Sequence, residues 1–190
     1  MTTLAPTIYE RAFPRISNTV RDVTLILLGS WLVALFAQIE IPLPFSPVPI
    51  TGQTFAVLLI GALLGSKRGV AAMLAYIAQG TAGLPFFAGG ASGFGILTGA
   101  TAGYLAGFIV AVYVVGLLAE RGMERSFRTS VIPFLVGTVI IYAFGVTWLS
   151  IVLHSTAKAL AAGLLPFLIG DAIKLFAAAA VLPSAWKMIR

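Results

Sequence analysis

The run LIGDAIKLFAAAAVLP at residues 168–183 places one carboxylate, Asp171, and one ammonium group, Lys174, in an otherwise apolar stretch. At a spacing of three residues, the two side chains share one face of a helix and can neutralise each other. A carboxylate accepts N–H donors, and an ammonium donates to carbonyl or carboxylate oxygens. Together they suit a cyclic urea or amide, a small zwitterion or an anion. An ionisable residue within a membrane span usually has a function. We therefore favour ligand binding over the alternative, a self-compensating pair without a role.

The sequence contains little else that would support catalysis. It has no cysteine, which excludes disulfides, thiolate nucleophiles and thiolate metal sites. The single histidine, His154, is followed by Ser155, but no acidic residue lies near it in sequence to orient a base. A phosphate loop of the form GxxxxGKS or GxxxxGKT is absent. We therefore expect no enzyme, no metal site, no cofactor and no ATP hydrolysis by this chain alone.

The composition is typical of a membrane protein. Of the 190 residues, 59% are hydrophobic and 9% are charged, whereas a soluble domain usually has about 25% charged residues. The net charge of +6 is not arranged as a basic patch interleaved with aromatic residues, so nucleic-acid binding is not expected. The composition predicts a polytopic protein whose outer surface contacts the lipid bilayer.

Six apolar runs predict transmembrane helices, since a bilayer core of about 30 Å needs roughly 20 apolar residues per helix. The second and third runs are short, but the tip at residues 66–68 favours a hairpin of two helices, because adjacent positive charges are costly at mid-membrane. The prediction is a single all-α membrane domain over residues 1–190. It has an N-terminal cytoplasmic segment at 1–22 and spans at residues 23–41, 49–65, 69–84, 96–119, 131–153 and 164–186.

The distribution of basic residues predicts the orientation. Six spans place both termini on one side of the membrane. If that side is the cytoplasm, the outer segments contain Lys158 alone, whereas the inner segments contain Arg11, Arg15, Arg21, Lys67, Arg68, Arg121, Arg125, Arg128, Lys187 and Arg190. This asymmetry follows the positive-inside rule. It predicts a multi-pass protein of the inner (plasma) membrane with cytoplasmic N- and C-termini.

Two of the predicted external loops are unusually apolar. Residues 40–54 contain four prolines, and residues 83–95 are rich in phenylalanine and glycine without any charge. Irregular backbone at membrane depth is tolerated where protein or a cavity surrounds it. We therefore expect loops 1 and 3 to cap a binding cavity, the alternative being that they lie on lipid headgroups.

Small residues recur at four-residue spacing in two of the predicted spans. Gly99, Gly103 and Gly107 do so in the fourth span, and Ser30 and Ala34 do so in the first. Such stripes allow close helix packing, which we favour over a ligand role for the glycines. On the first helix, an external docking face is an open alternative to internal packing.

Three ordered segments resemble BioY, the family of biotin-specific substrate-binding subunits of energy-coupling factor (ECF) transporters. They are IPLPFSPVPITGQTFAVLL at residues 41–59, GLPFFAGGASGFGILTGATAGYLAGF at 83–108 and GDAIK at 170–174. The resemblance extends from the first to the sixth predicted helix. Gly52 and Ala100 depart from the larger apolar residue and the proline that are common in the family, but neither departure removes a polar ligand group.

The resemblance implies a six-helix fold that binds biotin near the outer face, beneath loops 1 and 3. It makes Asp171 and Lys174 ligand residues. Asp171 suits the ureido N–H groups, and Lys174 suits the ureido carbonyl or the valerate carboxylate; the short spacing favours the ureido end for both. Weaker candidates for ligand contact are Tyr104, Gln53 and Gln79, with Phe86, Phe87 and Phe94 as the apolar wall.

The resemblance also implies partners, namely a transmembrane coupling subunit and two ATPases that carry the missing phosphate loops. Ser30 and Ala34 would then belong to a docking stripe on the first helix. A stand-alone ion-coupled carrier for a small organic solute is the main alternative, although such carriers usually contain an internal repeat and none is clear here. A membrane enzyme or a structural bundle is the third possibility.

Overall fold

The computed structural model describes residues 3–188 and is almost entirely helical. Within that range it contains eight α-helices, with the bounds α1 Leu4–Ala12, α2 Asn18–Ala37, α3 Gln53–Leu64, α4 Ser66–Thr81, α5 Ala102–Glu120, α6 Phe127–Val152, α7 Thr156–Gly163 and α8 Leu168–Met188. Two short strands, β1 Glu40–Ile41 and β2 Ile50–Thr51, form an antiparallel hairpin between α2 and α3. Single 3-10 turns occur at Ala88–Gly90, Phe94–Leu97, Met123–Arg125 and Leu165–Phe167.

Among the described residues, four helical segments are long and apolar enough to cross a membrane, which agrees with the membrane protein predicted from composition. They are Asn18–Ala37, Ala102–Glu120, Phe127–Val152 and the segment Thr156–Lys187, which includes α7 and α8. The apolar helix α3 has 12 residues and is therefore about 18 Å long, less than a bilayer core of about 30 Å. Helices α2 to α6 and α8 overlap the six predicted segments, although their bounds differ.

The N-terminal segment, predicted as a cytoplasmic segment at residues 1–22, contains a helix of its own. Residues 4–12 form α1, whose Leu4 and Pro6 are buried. Helix α2 begins at Asn18, five residues before the predicted start at residue 23, because the side chain of Ser17 caps it and accepts the Val20 N–H at 3.4 Å. Caps depend on single polar residues, so the search for apolar runs does not detect them.

Two further helix bounds differ from the approximate bounds of the predicted spans. The predicted fourth span begins at residue 96, but a 3-10 turn and a bend occupy residues 94–101 and α5 begins at Ala102. Gly99 therefore lies before the helix and outside the stripe of Gly103 and Gly107. The loop predicted between the fifth and sixth spans contains α7, which Ser155 caps by accepting the Lys158 N–H at 3.3 Å.

Helices α5 and α6 pack together through glycines, as the small-residue spacing predicted. A Cβ built at Gly103 would lie 2.2 Å from the Trp148 Cβ, and one at Gly145 of α6 would lie 2.3 Å from the Tyr104 ring. Distances this short leave no room for a side chain. The glycines therefore allow α5 and α6 to approach each other closely, as is common in membrane bundles.

On the first helix, the burial of Ser30 and Ala34 favours internal packing over the predicted docking stripe. Ser30 is 0% exposed and Ala34 is 6% exposed. The Ser30 hydroxyl donates to the Leu27 carbonyl at 2.8 Å and accepts from Gln79 of α4 at 3.0 Å. These small residues allow α2 and α4 to pack closely, which was the alternative reading of the same spacing.

A charged cluster joins three helices at one end of the bundle. Arg21 of α2 is buried and pairs with Glu10 of α1 and with Asp22, the latter at 2.9 Å. Asp22 also lies 2.9 Å from Nε of Arg68 on α4. Because the charges neutralise one another, α1, α2 and the start of α4 are held together without an unpaired buried ion. Arg190, counted above among the inner cations, lies outside the described residues.

A buried carboxylate lies in the turn between α5 and α6, outside the spans. Glu124 is 1% exposed, and Nε of Arg125 lies 3.8 Å from its Oε1. The Arg125 guanidinium instead stacks on the Trp186 ring of α8, 4.7 Å from the ring centroid. Burial raises the pKa of Glu124 above its ordinary value, and the positive charge of Arg125 offsets only part of that effect.

The raised pKa predicts that Glu124→Gln stabilises the protein at neutral pH. Between the ordinary pKa of the unfolded chain, about 4.3, and the higher folded value, the folded state binds more protons, so stability falls as pH rises. The amide removes the charge and keeps the shape. We expect a melting temperature about 2–4 °C above wild type at pH 7.5 and no difference near pH 4, measured by thermal unfolding in detergent. A less stable variant at pH 7.5 would contradict this account of Glu124.

Candidate functional site

Asp171 and Lys174 lie in the first two turns of α8. The helix begins at Leu168, directly after the turn Leu165–Phe167, so Asp171 is its fourth residue. This is closer to the helix start than the predicted span at 164–186 implied. A carboxylate is favourable in the first turn, because the free N–H groups give that end of a helix a partial positive charge.

The two charges form an ion pair, as their spacing predicted, and both have further partners. Lys174 Nζ lies 2.7 Å from Oδ1 of Asp171, and it also donates to the Thr51 carbonyl at 2.8 Å and to the Thr54 hydroxyl at 3.1 Å. The Thr54 hydroxyl donates to Oδ1 at 3.1 Å, and the Tyr142 hydroxyl donates to Oδ2 at 2.6 Å. Residues of α3, α6 and α8 thus converge on one carboxylate.

The pair borders a partly open cavity, with about 600 Å³ of empty space when the solvent at its mouth is included. Its wall is mainly apolar and aromatic, with a few polar groups, which is the usual composition of a small-molecule site. Helices α3, α5, α6 and α8 contribute to it, together with the segments before α3 and between α4 and α5 and the turn before α8. The lining residues are Val48, Pro49, Thr51, Gln53, Thr54, Phe87, Ala88, Ile96, Thr101, Tyr104, Leu105, Phe108, Ile141, Tyr142, Phe167, Asp171 and Lys174.

Three of the weaker candidates line this cavity with the charged pair. Gln53 is buried and donates from Nε2 to the Tyr76 hydroxyl at 2.5 Å. The Tyr104 hydroxyl donates to the Gly163 carbonyl at 2.6 Å, so its ring faces the cavity while its polar atom holds α7. Phe87 is 2% exposed and belongs to the wall.

The other three candidates lie outside the cavity. Gln79 accepts from the Trp31 indole N–H at 3.0 Å and donates to Ser30, so it joins α2 to α4. Phe86 stacks on the buried Tyr76 ring with a centroid distance of 6.4 Å and lines an outer groove. Phe94 is 73% exposed. Position in a glycine-rich loop did not indicate which aromatic side chain would turn inward.

The structure adds two polar residues that the sequence reasoning missed, Thr54 and Tyr142. Thr54 follows Gln53 directly in the segment TGQT at residues 51–54. Because Gln53 was itself a predicted ligand contact, the sequence could have indicated Thr54 as well. Tyr142 lies in the middle of α6 within an apolar run and is half-buried. Only the packing of α6 against α8 brings it to Asp171, and no local pattern indicates that contact.

Both apolar loop segments contribute to the cavity wall. Val48 and Pro49 come from the segment between the two strands, and Phe87, Ala88 and Ile96 come from the segment between α4 and α5. The first segment is tied to α7, because the Ser46 hydroxyl donates to the Ala162 carbonyl at 2.8 Å. The second is tied to α2, because Gln38 Nε2 donates to the Phe87 carbonyl at 3.2 Å.

The comparison with protein families shows which family the chain belongs to. The model of the BioY family matches residues 9–190. The chain belongs to the BioY family. This confirms the resemblance drawn from the motifs at residues 41–59, 83–108 and 170–174, and the match covers nearly the whole sequence.

Named BioY relatives are similar over most of their length. The biotin transporter BioY of Thermotoga maritima is 41% identical over 157 residues, covering 83% of this chain and 86% of the relative. That of Rhizobium etli is 36% identical over 169 residues, with 85% and 90% covered. These BioY proteins are transporters, which agrees with the expectation that this chain is not an enzyme.

A solved structure supports the BioY fold. The crystal structure of the S-component for biotin from an ECF-type ABC transporter superposes with a TM-score of 0.81 and 26% sequence identity. The match covers 90% of this chain and 95% of that protein. The helical bundle is therefore the S-component fold.

Proposed function

We propose that this chain is the biotin-binding and translocating subunit of an ECF-type uptake transporter. The observation that carries the proposal is the Asp171–Lys174 pair, 2.7 Å apart at the edge of a largely apolar cavity in a member of the BioY family. Biotin presents a cyclic urea at one end, and the pair offers a carboxylate for its N–H groups and an ammonium for its carbonyl oxygen. Named relatives are biotin transporters.

Both charged residues meet the ureido end of the ligand in this proposal. Asp171 accepts a ureido N–H, and Lys174 exchanges one of its present acceptors, such as the Thr51 carbonyl, for the ureido oxygen. The aromatic side chains of Phe87, Tyr104 and Phe108 provide apolar surface for the fused rings and the aliphatic chain. Removal of the ligand's fused rings and aliphatic chain from water is the main apolar contribution to affinity.

The proposed topology has six transmembrane helices, α2 to α6 and α8, with both termini in the cytoplasm. The short helices α3 and α4 form a hairpin whose tip has Lys67 and Arg68, and the turn after α5 has Arg121 and Arg125. The positive-inside rule places these ends in the cytoplasm of a bacterial-type plasma membrane. The cavity then opens toward the outer face, and the two apolar loop segments cap it.

The energy for transport comes from partners in this proposal. The chain lacks a phosphate loop, and the similar solved structure is an S-component of an ECF-type ABC transporter. We therefore propose a complex with a transmembrane coupling subunit and two ATPases. A stand-alone ion-coupled carrier is the competing hypothesis, and uptake by cells that express this chain without any coupling module would favour it.

The direct test is a titration of the purified protein with biotin in detergent. We expect saturable binding with a Kd of about 1 µM or tighter. Calorimetry, or the fluorescence of the three tryptophans, measures this binding. Lipoic acid is the matched control ligand, because it has the same carboxylate chain on an apolar ring without ureido N–H groups. Failure to bind biotin, or equal binding of lipoic acid, would refute the proposed recognition.

A further inference from the structure

We infer that Tyr142 is a positioning residue that orients the Asp171 carboxylate for the N–H donor of the ligand. The inference rests on the proposed biotin-binding function and concerns a residue on a different helix from the charged pair. Tyr142 belongs to α6 and Asp171 to α8. Their 2.6 Å hydrogen bond links the two helices at the cavity.

The two oxygens of Asp171 have different numbers of donors in the described structure. Oδ1 accepts two hydrogen bonds, from Lys174 Nζ at 2.7 Å and from the Thr54 hydroxyl at 3.1 Å. Oδ2 accepts one, from Tyr142. A carboxylate offers about four lone-pair positions, two on each oxygen. The position still open among the described contacts is therefore on Oδ2, the oxygen that Tyr142 holds.

The ammonium group of Lys174, by contrast, has no N–H donor left without a partner among the described contacts. A lysine has three N–H donors, and Lys174 uses them on the Thr51 carbonyl, the Thr54 hydroxyl and Oδ1 of Asp171. An incoming N–H therefore finds its acceptor on Oδ2 without displacing any existing bond. Whether that lone pair points into the cavity depends on the plane of the carboxylate.

Tyr142 fixes that plane together with the two donors on Oδ1. Rotation of the carboxylate about its bond to Cβ moves both oxygens at once, so it is opposed on one oxygen by Lys174 and Thr54 and on the other by Tyr142. The short hydrogen bond from the Tyr142 hydroxyl holds the second oxygen. Hydrogen bonds to an ionised acceptor are stronger than neutral ones, so this contact is well suited to a positioning role.

A double-mutant cycle tests the inference. We expect Tyr142→Phe to weaken biotin binding about tenfold in the wild-type background, because a hydrogen bond to a charged group is lost. In the Asp171→Asn background, the same change should weaken binding less than about twofold, because the two effects are coupled. Dissociation constants are measured for the four proteins under one set of detergent conditions.

The controls separate positioning from simpler roles. Tyr113→Phe removes a hydroxyl from an exposed tyrosine on α5 and should leave the affinity unchanged. Thermal unfolding of the ligand-free proteins checks that Tyr142→Phe is folded at the binding temperature. Equal tenfold losses in both backgrounds, or no loss in either, would overturn the inference while leaving biotin binding by the wild type intact. If the wild type itself fails to bind biotin, the proposed function is refuted and this inference with it.

Discussion

Asp171→Asn should weaken biotin binding by at least about 100-fold, because hydrogen bonds to a charged partner contribute about 1.5–3 kcal/mol each. The substitution keeps the size of the side chain but replaces one acceptor oxygen with a donor NH2 group. It also leaves Lys174 without its counter-charge at 2.7 Å. Both the acceptor for the ureido N–H and the electrostatic balance of the empty site are then lost. Titration of the purified variant with biotin measures the effect.

The matched control for this prediction is Glu124→Gln, which makes the same chemical change at another buried acid. Glu124 lies in the turn whose Arg125 stacks on Trp186, and Trp186 is 15 residues beyond Asp171, or about 22 Å along a helix. We expect its biotin affinity to equal that of wild type. Wild-type affinity in Asp171→Asn would show that the carboxylate is not a ligand group, whatever the affinity of the control.

Hydropathy and charge spacing predicted the long helices of this fold but not its short elements. The apolar runs around α5, α6 and α8 extend over 19 residues or more and stand out against charged flanks. Helix α7 has eight residues and α1 has nine, and both depend on packing against neighbouring helices. Isolated helices this short are only marginally stable, so contacts with neighbouring helices supply most of their stability. Their own sequences therefore give little indication that they are helical.

The site shows the same division between local and long-range information. The i, i+3 spacing of Asp171 and Lys174 predicted their ion pair, because one helix brings them together. The contacts from Thr54 and Tyr142 join residues 117 and 29 positions apart in sequence. Gln79, another predicted ligand contact, lies outside the cavity, and its polar amide has its partners between α2 and α4. Polar residues in a membrane bundle need internal partners, and sequence does not distinguish such partners from a ligand.

Lys174→Ala should both destabilise the ligand-free protein and weaken biotin binding. Asp171 is 7% exposed in its side chain, so removal of the ammonium leaves a buried carboxylate without its counter-charge. Breaking a buried ion pair in this way costs about 3–5 kcal/mol, and because the Lys174 side chain is 22% exposed, the loss belongs at the lower end. Lys187→Ala, an exposed lysine in the last turn of α8, should change neither stability nor affinity.

The double variant Asp171→Asn with Lys174→Ala separates the structural role of the pair from its role in binding. With both charges removed, no ion remains unpaired, so the melting temperature should lie above that of Lys174→Ala alone. Biotin binding should nevertheless stay weak, because neither the acceptor nor the donor for the ureido group is restored. Recovery of stability without recovery of binding would show that the pair serves the ligand as well as the fold. Recovery of both would identify a self-compensating pair that the ligand does not use.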